Sequence, residues 1–158
     1  MQRRTLITAG GAALALPVAA LAQTQQSRVA LPPILTPNPE EFRRIVAEFT
    51  GGRRPETKGL ELDVPVLADN PSGVPVKVMV TEPMTEQDWC EQIIVLAELN
   101  PLPLACTMHF TPAAGVAEAA VRARLAQSQT IHALARMKSG RILGASQEVT
   151  VAASGCGM

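Results

Sequence analysis

The sequence predicts a mainly β protein: an immunoglobulin-like antiparallel β-sandwich with a short N-terminal helix and a flexible C-terminal arm. Two runs, starting at Leu60 and Val74, place apolar residues at every second position, as strands with one buried face do. Short runs of this kind recur at roughly 10 to 15 residue intervals as far as Val151. The 13 prolines and 11 glycines among 158 residues favour turns between short strands over a helical bundle, and the length suits one domain.

Residues 1–22 have the pattern of a cleavable signal peptide. The pair Arg3 and Arg4 precedes an uncharged apolar run over 9–21, and the segment ends in Ala-x-Ala, so cleavage is expected before Gln23. The run is shorter than the roughly 20 residues that span a bilayer, which disfavours a permanent membrane anchor. Paired arginines indicate the twin-arginine export route, and an ordinary secretory signal is the alternative.

The mature chain would therefore work in the periplasm, an oxidising compartment. Removing 22 residues, among them two of the 14 basic ones, leaves 136 residues with 12 basic and 14 acidic side chains, a net charge of −2. The full chain has zero net charge, 3% aromatic residues and no tyrosine. Neither counterion release nor base stacking therefore supports nucleic-acid binding.

Residues 23–57 are expected to be a lead-in followed by a short helix. The lead-in is polar and then rich in proline. Asn38 is a helix N-cap, Pro39 suits the first helical position, and two glutamates follow where the helix dipole is positive. Gly51 and Gly52 end the helix. Four apolar side chains at helical spacing give it one buried stripe: Phe42, Ile45, Val46 and Phe49.

Residues 58–152 are expected to form the sandwich. A turn over 69–73 joins the first two strands, and residues 100–103 and 138–140 supply connections of hairpin length. Residues 117–136 are rich in alanine and arginine, as a helix would be, but apolar residues alternate with arginines over 121–125, which favours a strand. The strand candidates are 60–64, 74–80, 91–98, 104–111, 117–125, 130–137 and 142–151.

Motifs of the common enzyme classes are missing from the sequence. It has no Gly-rich phosphate loop, no G-x-S-x-G elbow, no H-E-x-x-H and no C-x-x-C. The two histidines, His109 and His132, lie on strand candidates among apolar residues. A metal site of either histidine with Cys106, as in a metallochaperone, is one interpretation; no ligand spacing supports it, and ordinary packing is the alternative.

Charged side chains give two further candidates. Glu82, Glu86 and Asp88 occupy a polar loop, which is most simply a solvated edge. Arg122 and Arg124 share one face of a strand candidate. They would bind an anion or a partner's carboxylate there, or form a solvated face.

Three cysteines cannot all pair within one chain, so an exported protein keeps at least one thiol. Cys106 lies in an apolar run, where a thiol packs as a small hydrophobe. A hairpin that turns at 100–103 would place Cys106 opposite about residue 96. That position is several residues from Cys90, which disfavours a Cys90–Cys106 disulfide but leaves it open as an alternative.

Residues 153–158 are expected to form a mobile arm that carries Cys156. Five residues beyond Val151 reach at most about 15 to 18 Å at ~3.3–3.6 Å each. Gly155 and Gly157 remove Cβ crowding beside the thiol, so the arm would swing and thread a narrow active site. The nearby C-terminal carboxylate would raise the pKa of this thiol, which makes it more nucleophilic once a partner deprotonates it. The placement fits a covalent carrier; the alternative is a tail cysteine that links chains.

Five segments are similar to one known family: residues 80–85 (Val-Thr-Glu-Pro-Met-Thr), 100–103 (Asn-Pro-Leu-Pro), 109–112 (His-Phe-Thr-Pro), 122–129 (Arg-Ala-Arg-Leu-Ala-Gln-Ser-Gln) and 155–157 (Gly-Cys-Gly). Together they resemble SoxY, the sulfur-carrying subunit of the bacterial thiosulfate-oxidising Sox system, over nearly the whole mature chain. The family tail is usually Gly-Gly-Cys-Gly-Gly. Here Ser154 and Met158 replace the outer glycines, and Met158 adds an apolar side chain that partner sites must accept. Cys90 and Cys106 are additions to the family pattern.

The resemblance implies a non-enzymatic periplasmic sulfur carrier that pairs with a second immunoglobulin-like subunit, SoxZ, as a heterodimer. It implies that Cys156 holds the substrate covalently on an arm of Ser154, Gly155, Gly157 and Met158. A c-type haem enzyme would join thiosulfate oxidatively to the thiol, a dimanganese hydrolase would release sulfate, and a sulfane dehydrogenase, where present, would oxidise the remaining sulfur. Haem, manganese and molybdenum would belong to these partners, with no cofactor in this chain. The alternative is an exported structural sandwich whose tail cysteine forms an interchain disulfide.

Overall fold

The computed structural model describes residues 36–152, so the predicted signal peptide, most of the lead-in and the predicted arm lie outside the described part of the chain. In this part of the chain, one α-helix, α1, precedes eight strands, and a short 3₁₀ helix over Pro112–Ala114 follows the fifth strand. The elements are α1 Pro39–Thr50, β1 Leu60–Asp63, β2 Leu67–Ala68, β3 Val74–Val80, β4 Cys90–Ala97, β5 Leu104–His109, β6 Glu118–Ala123, β7 Gln129–Met137 and β8 Ile142–Val151.

The strands form two sheets, ordered β1-β3-β6 and β2-β8-β7-β4-β5. The prediction of a mainly β, immunoglobulin-like sandwich with a short N-terminal helix is confirmed. All strand pairs are antiparallel except one: β2 pairs with β8 in parallel. The predicted segment 117–136 is confirmed as strand rather than helix, with a break between β6 and β7.

The main core lies between the two sheets. Val74, Val76 and Val78 of β3 are buried on one face, and Ile93 and Ile131 face them from the larger sheet. Their alternation with exposed neighbours is the period-two pattern of the sequence. Large aliphatic side chains that leave water in this way supply most of the free energy of folding.

A second, smaller core lies under α1, on the outer face of the larger sheet. The side chain of Asn38 accepts a hydrogen bond from the backbone N–H of Glu41 at 3.1 Å, and Gly51 ends the helix at φ +60° with its N–H bonded to Ala47, so both predicted caps are confirmed. The buried stripe of the helix packs on Ile94, Leu96, Leu134 and Ile142. No helix within residues 36–152 is long and apolar enough to cross a membrane.

Candidate functional site

The structure describes the point from which the predicted arm starts. Cys156 and its neighbours Ser154, Gly155, Gly157 and Met158 lie outside the described residues, whereas β8 ends at Val151, as the sequence predicts. This end of β8 is hydrogen-bonded on both sides, and we call Thr150, Val151 and Ala152 the root.

On one side of the root runs the segment that contains β2. The N–H of Thr150 donates to Val66 O at 2.8 Å, and the N–H of Ala152 donates to Ala68 O at 3.0 Å. Successive N–H groups of a strand point to opposite sides, so the N–H of Val151 points away from β2. On that side β7 begins only at Gln129, which pairs with Val149, so the backbone ladder ends before Val151. The hydroxyl of Ser128 accepts the N–H of Val151 instead, at 2.9 Å.

Ser128 lies next to a buried polar network. Gln129 is only 4% exposed; its side-chain oxygen accepts the N–H of Leu99 at 2.8 Å, and its amide donates to Asn100 Oδ1 at 2.9 Å. The same Asn100 oxygen also accepts the N–H of Ala126. Buried polar groups satisfied in this way fix one geometry. Sequence reasoning missed this network, although a glutamine directly before an apolar strand candidate was a signal of it.

Cys90 is fully buried in the main core. Its thiol donates to Gln92 O at 3.6 Å, and its N–H contacts the sulfur of Met84 at 3.3 Å. Burial raises the pKa of the Cys90 thiol to about 11, because the low-dielectric surroundings disfavour the thiolate. This thiol is therefore protonated at neutral pH and poorly nucleophilic.

Cys106 is partly buried on the edge strand β5 and packs against the same core. It pairs with Val95, next to the predicted position of about residue 96, and a β-bulge shifts the register between Val95 and Leu96. Five residues along β4 separate Val95 from Cys90, so the alternative of a Cys90–Cys106 disulfide is wrong, and both thiols are free. Burial raises the pKa of the Cys106 thiol as well.

The two histidines do not converge with Cys106. His109 is three residues further along β5, so the two side chains lie on opposite faces of the strand. His132 Nε2 lies 3.1 Å from Glu98 Oε2, and its ring centroid lies 5.1 Å from that of Phe42. Within residues 36–152, no three His, Cys, Asp or Glu side chains lie close enough to hold a metal ion.

The predicted solvated edge is only partly exposed: Glu86 is exposed, whereas Glu82 and Asp88 are half-buried and hydrogen-bonded. Arg141 donates to both carboxylate oxygens of Glu82 at 2.7 and 2.8 Å and to both of Glu56 at 2.7 and 3.0 Å. The Arg141 guanidinium holds the pKa of the Glu56 carboxyl below its usual range. Asp88 is also bonded, to the backbone and side chain of Ser139. These partners are more than 50 residues apart in the chain, which a local pattern does not reveal.

The predicted arginine pair is also divided. Arg122 lies on β6 and donates to Gly73 O at 3.1 Å. Arg124 follows the end of β6, and its carbonyl oxygen accepts a hydrogen bond from Asn100. Arg122 therefore has a structural role in the turn before β3.

A groove of about 540 Å³ lies between α1 and strands β4 and β5. Its lining includes the apolar side chains of Ile94 and Leu104 and the charged ones of Arg44 and Arg136. No cysteine or histidine lines it. The groove therefore supplies no thiol or imidazole for nucleophilic chemistry.

Fold and site together define an immunoglobulin-like domain in which the last strand of the described residues ends in a hydrogen-bonded root. The family model of the sulfur oxidation protein SoxY matches residues 46–156. The chain therefore belongs to the SoxY family, and it has the class of function of that family, a sulfur carrier in sulfur oxidation. No curated protein sequence matches the chain.

Solved structures share the fold. The sulfur carrier protein SoxY from Chlorobium limicola f thiosulfatophilum covers 73% of this chain and 100% of its own length, with 20% identity and a TM-score of 0.60. A superoxide reductase (neelaredoxin) from Ignicoccus hospitalis covers 66% and 91%, with 16% identity and a TM-score of 0.53. A putative superoxide reductase from Thermotoga maritima covers 62% and 89%, with 20% identity and a TM-score of 0.51. At these identities, the similarity concerns the fold alone.

Proposed function

We propose that this protein is a periplasmic carrier that holds thiosulfate-derived sulfur covalently on Cys156 and presents it to the enzymes of thiosulfate oxidation. The observation that carries the proposal is that the family match runs through to Cys156, while the two other cysteines are packed in the sandwich. Burial raises the pKa of both packed thiols, which leaves Cys156 as the thiol available for exchange.

The chemistry needs two steps at the sulfur atom. The Cys156 thiolate and thiosulfate lose two electrons to a c-type haem enzyme and form Cys–S–S–SO₃⁻. Water then attacks the terminal sulfur at a dimanganese hydrolase, which releases sulfate and two protons and leaves Cys–S–S⁻. Haem and manganese belong to these partners, as would molybdenum in a sulfane dehydrogenase where the organism has one. The carrier itself works as a heterodimer with a SoxZ-like subunit.

Intact-mass spectrometry of the mature protein from thiosulfate-grown cells tests the site. We expect sulfur and thiosulfonate adducts that a reductant removes, and none in Cys156→Ser. The matched control is Cys106→Ser, which keeps the adducts because Cys106 packs against the core. Adducts that persist in Cys156→Ser would contradict the assignment. A reducible homodimer through Cys156 without adducts would favour the structural alternative, an exported sandwich linked by its tail cysteine.

Export through the twin-arginine route is tested separately. Arg3→Lys with Arg4→Lys keeps the charge of the signal but removes the arginine pair. We expect the precursor, still carrying residues 1–22, to accumulate inside the cell and the mature form to disappear from the periplasmic fraction. Normal export of the double variant would identify an ordinary secretory signal instead.

A further inference from the structure

An exposed apolar patch lies beside the root. Among residues 36–152, the exposed large apolar side chains are Val66, Leu67, Leu102, Leu104 and Val116. Val66 is 69% exposed and Leu67 58%. We call these two residues the root patch, because both lie on the segment that is hydrogen-bonded to the end of β8.

The root patch is held in place by the root itself. Leu67 pairs with Thr150, and Val66 O accepts the N–H of Thr150 at 2.8 Å. Two residues earlier, Val64 is 2% exposed, and its carbonyl oxygen accepts a hydrogen bond from the Gln147 side chain at 2.6 Å. Neighbouring strands lie about 4.8 Å apart, so the patch is one strand spacing from the origin of the arm.

The length of chain beyond the root limits where a partner can sit. Ala152 is fixed by its hydrogen bond to Ala68, and Cys156 is the fourth residue after it. Four residues span at most about 13 to 14 Å. An enzyme that takes Cys156 into a recessed active site must therefore bring its own surface close to the end of β8, and the root patch lies within this footprint.

From this geometry we infer that Val66 and Leu67 form a docking contact for the enzymes that process Cys156. This inference rests on the proposed carrier function. The occupant is the apolar rim of a partner enzyme's active-site mouth, which covers the patch while the arm is inside. Exposed aliphatic side chains next to a fixed point of entry are suited to this role, because they contribute binding without a directional requirement and different enzymes can share them.

The test uses Leu67→Ser and Val66→Ser, with Val116→Ser as the matched control. Val116 is 52% exposed and lies at the other end of the sandwich. The carbonyl oxygen of the next residue, Ala117, accepts a hydrogen bond from the N–H of Val80. Val80 in turn pairs with Leu60 at the start of β1. Gly59, before Leu60, lies against Leu143 at the start of β8. Eight residues of extended strand, about 26 Å, separate Leu143 from Val151. All three substitutions replace exposed side chains and are expected to leave the thermal midpoint nearly unchanged.

The full mature carrier, with any subunit that accompanies it, is loaded with tetrathionate. The Cys156 thiolate displaces thiosulfate and becomes Cys–S–S–SO₃⁻. Sulfate release by the purified dimanganese hydrolase is then measured against carrier concentration. We expect KM to rise about tenfold in Leu67→Ser, with kcat unchanged, because the contact contributes to docking and not to the chemical step. Val116→Ser should match the wild type.

Equal KM values for Leu67→Ser and Val116→Ser would overturn the inference. Loss of a subunit from Leu67→Ser in native mass spectrometry would also overturn it, because the patch would then be a subunit interface. Failure of the carrier function has a different signature. If Cys156→Ser still takes up thiosulfonate, or if loaded wild-type protein releases no sulfate, the proposed function is wrong, and the docking inference falls with it.

Discussion

At the scale of single residues, burial protects the two thiols that lie within residues 36–152, those of Cys90 and Cys106. A sulfur carrier needs one thiol that partners can reach, and side reactions at other thiols would misdirect the sulfur. Cys90 is fully buried and its pKa is raised to about 11, so at pH 8 only about one molecule in a thousand carries the thiolate. Within residues 36–152, the sandwich therefore suppresses reactions at its own thiols by excluding water, and no disulfide joins the two cysteines there.

The raised pKa of Cys90 predicts a loss of stability at alkaline pH. Its folded-state pKa lies above the ordinary value of 9.0, so the stabilisation is complete below pH 9 and is lost as the pH rises towards about 11. We expect the free energy of unfolding, measured by thermal melts, to fall by on the order of 1–2 kcal/mol over this range. Cys90→Ala, although less stable at pH 7, should show a shallower alkaline decline. Equal declines in both proteins would contradict this account.

At the scale of elements, the end of β8 is the part on which the proposed function depends. Each of the three N–H groups of the root has a defined acceptor, supplied by Val66, Ser128 and Ala68 in turn. Ser128 matters most among them, because a side chain replaces an acceptor that the shorter strand β7 does not provide. Loss of that bond would leave the N–H of Val151 without its partner. The fixed part of β8 would then end before Val151, and the arm would begin closer to the domain.

Ser128→Ala should therefore loosen the root without unfolding the sandwich. One lost hydrogen bond corresponds to roughly two- to tenfold faster local opening, measured as hydrogen exchange of the Val151 amide. Ser128→Thr retains the hydroxyl and is the control. Exchange at buried amides such as Ile93 should not change. An unchanged Val151 rate in Ser128→Ala would show that this hydroxyl does not hold the root.

A second link between elements makes the fold sensitive to acid. Arg141, between β7 and β8, holds Glu56 and Glu82 together and lowers the pKa of Glu56. The lowered pKa contributes stability above the ordinary value of 4.5, and this contribution disappears as the pH falls through the folded-state pKa. We expect Arg141→Gln to lower the melting temperature at pH 7. Between pH 5 and pH 3, the melting temperature of the variant should fall by less than that of the wild type. Arg124→Gln, at another exposed arginine, should leave both unchanged.

Elements with local signals could be predicted from the sequence, and elements that depend on distant partners could not. The cap at Asn38 and the alternation from Val74 to Val80 each act within one element, and both were predicted. Strand β2 has two residues, too few for a period, and exists because β8 supplies its partner more than 80 residues later. The pairing of Cys106 was predicted to within one residue, whereas the bulge beside it was not, because a bulge in a ladder is a property of two strands.

At the scale of the whole molecule, the sandwich fixes the point from which the predicted arm starts. The number of residues beyond that point limits how far Cys156 can reach. Within the described residues, one end of the larger sheet combines the root, the root patch and the buried network of Gln129. The opposite end carries the ion pairs of Arg141. In the proposed function, partners must approach the end of the sheet that carries the hydrogen-bonded root and the exposed root patch.

Shortening the arm tests this division directly. Deletion of Ala153 and Ser154 removes about 7 Å from a reach of about 13 to 14 Å. Tetrathionate is small and should still load Cys156 at the wild-type rate. Sulfate release by the hydrolase should fall about 100-fold or more, because a displacement of even ~1 Å at a reacting centre has a cost of this order. Replacement of the same two residues by glycines keeps the length and should preserve turnover. If the shortened carrier turns over normally, partners do not need the full reach, and a fixed root gives the carrier no advantage.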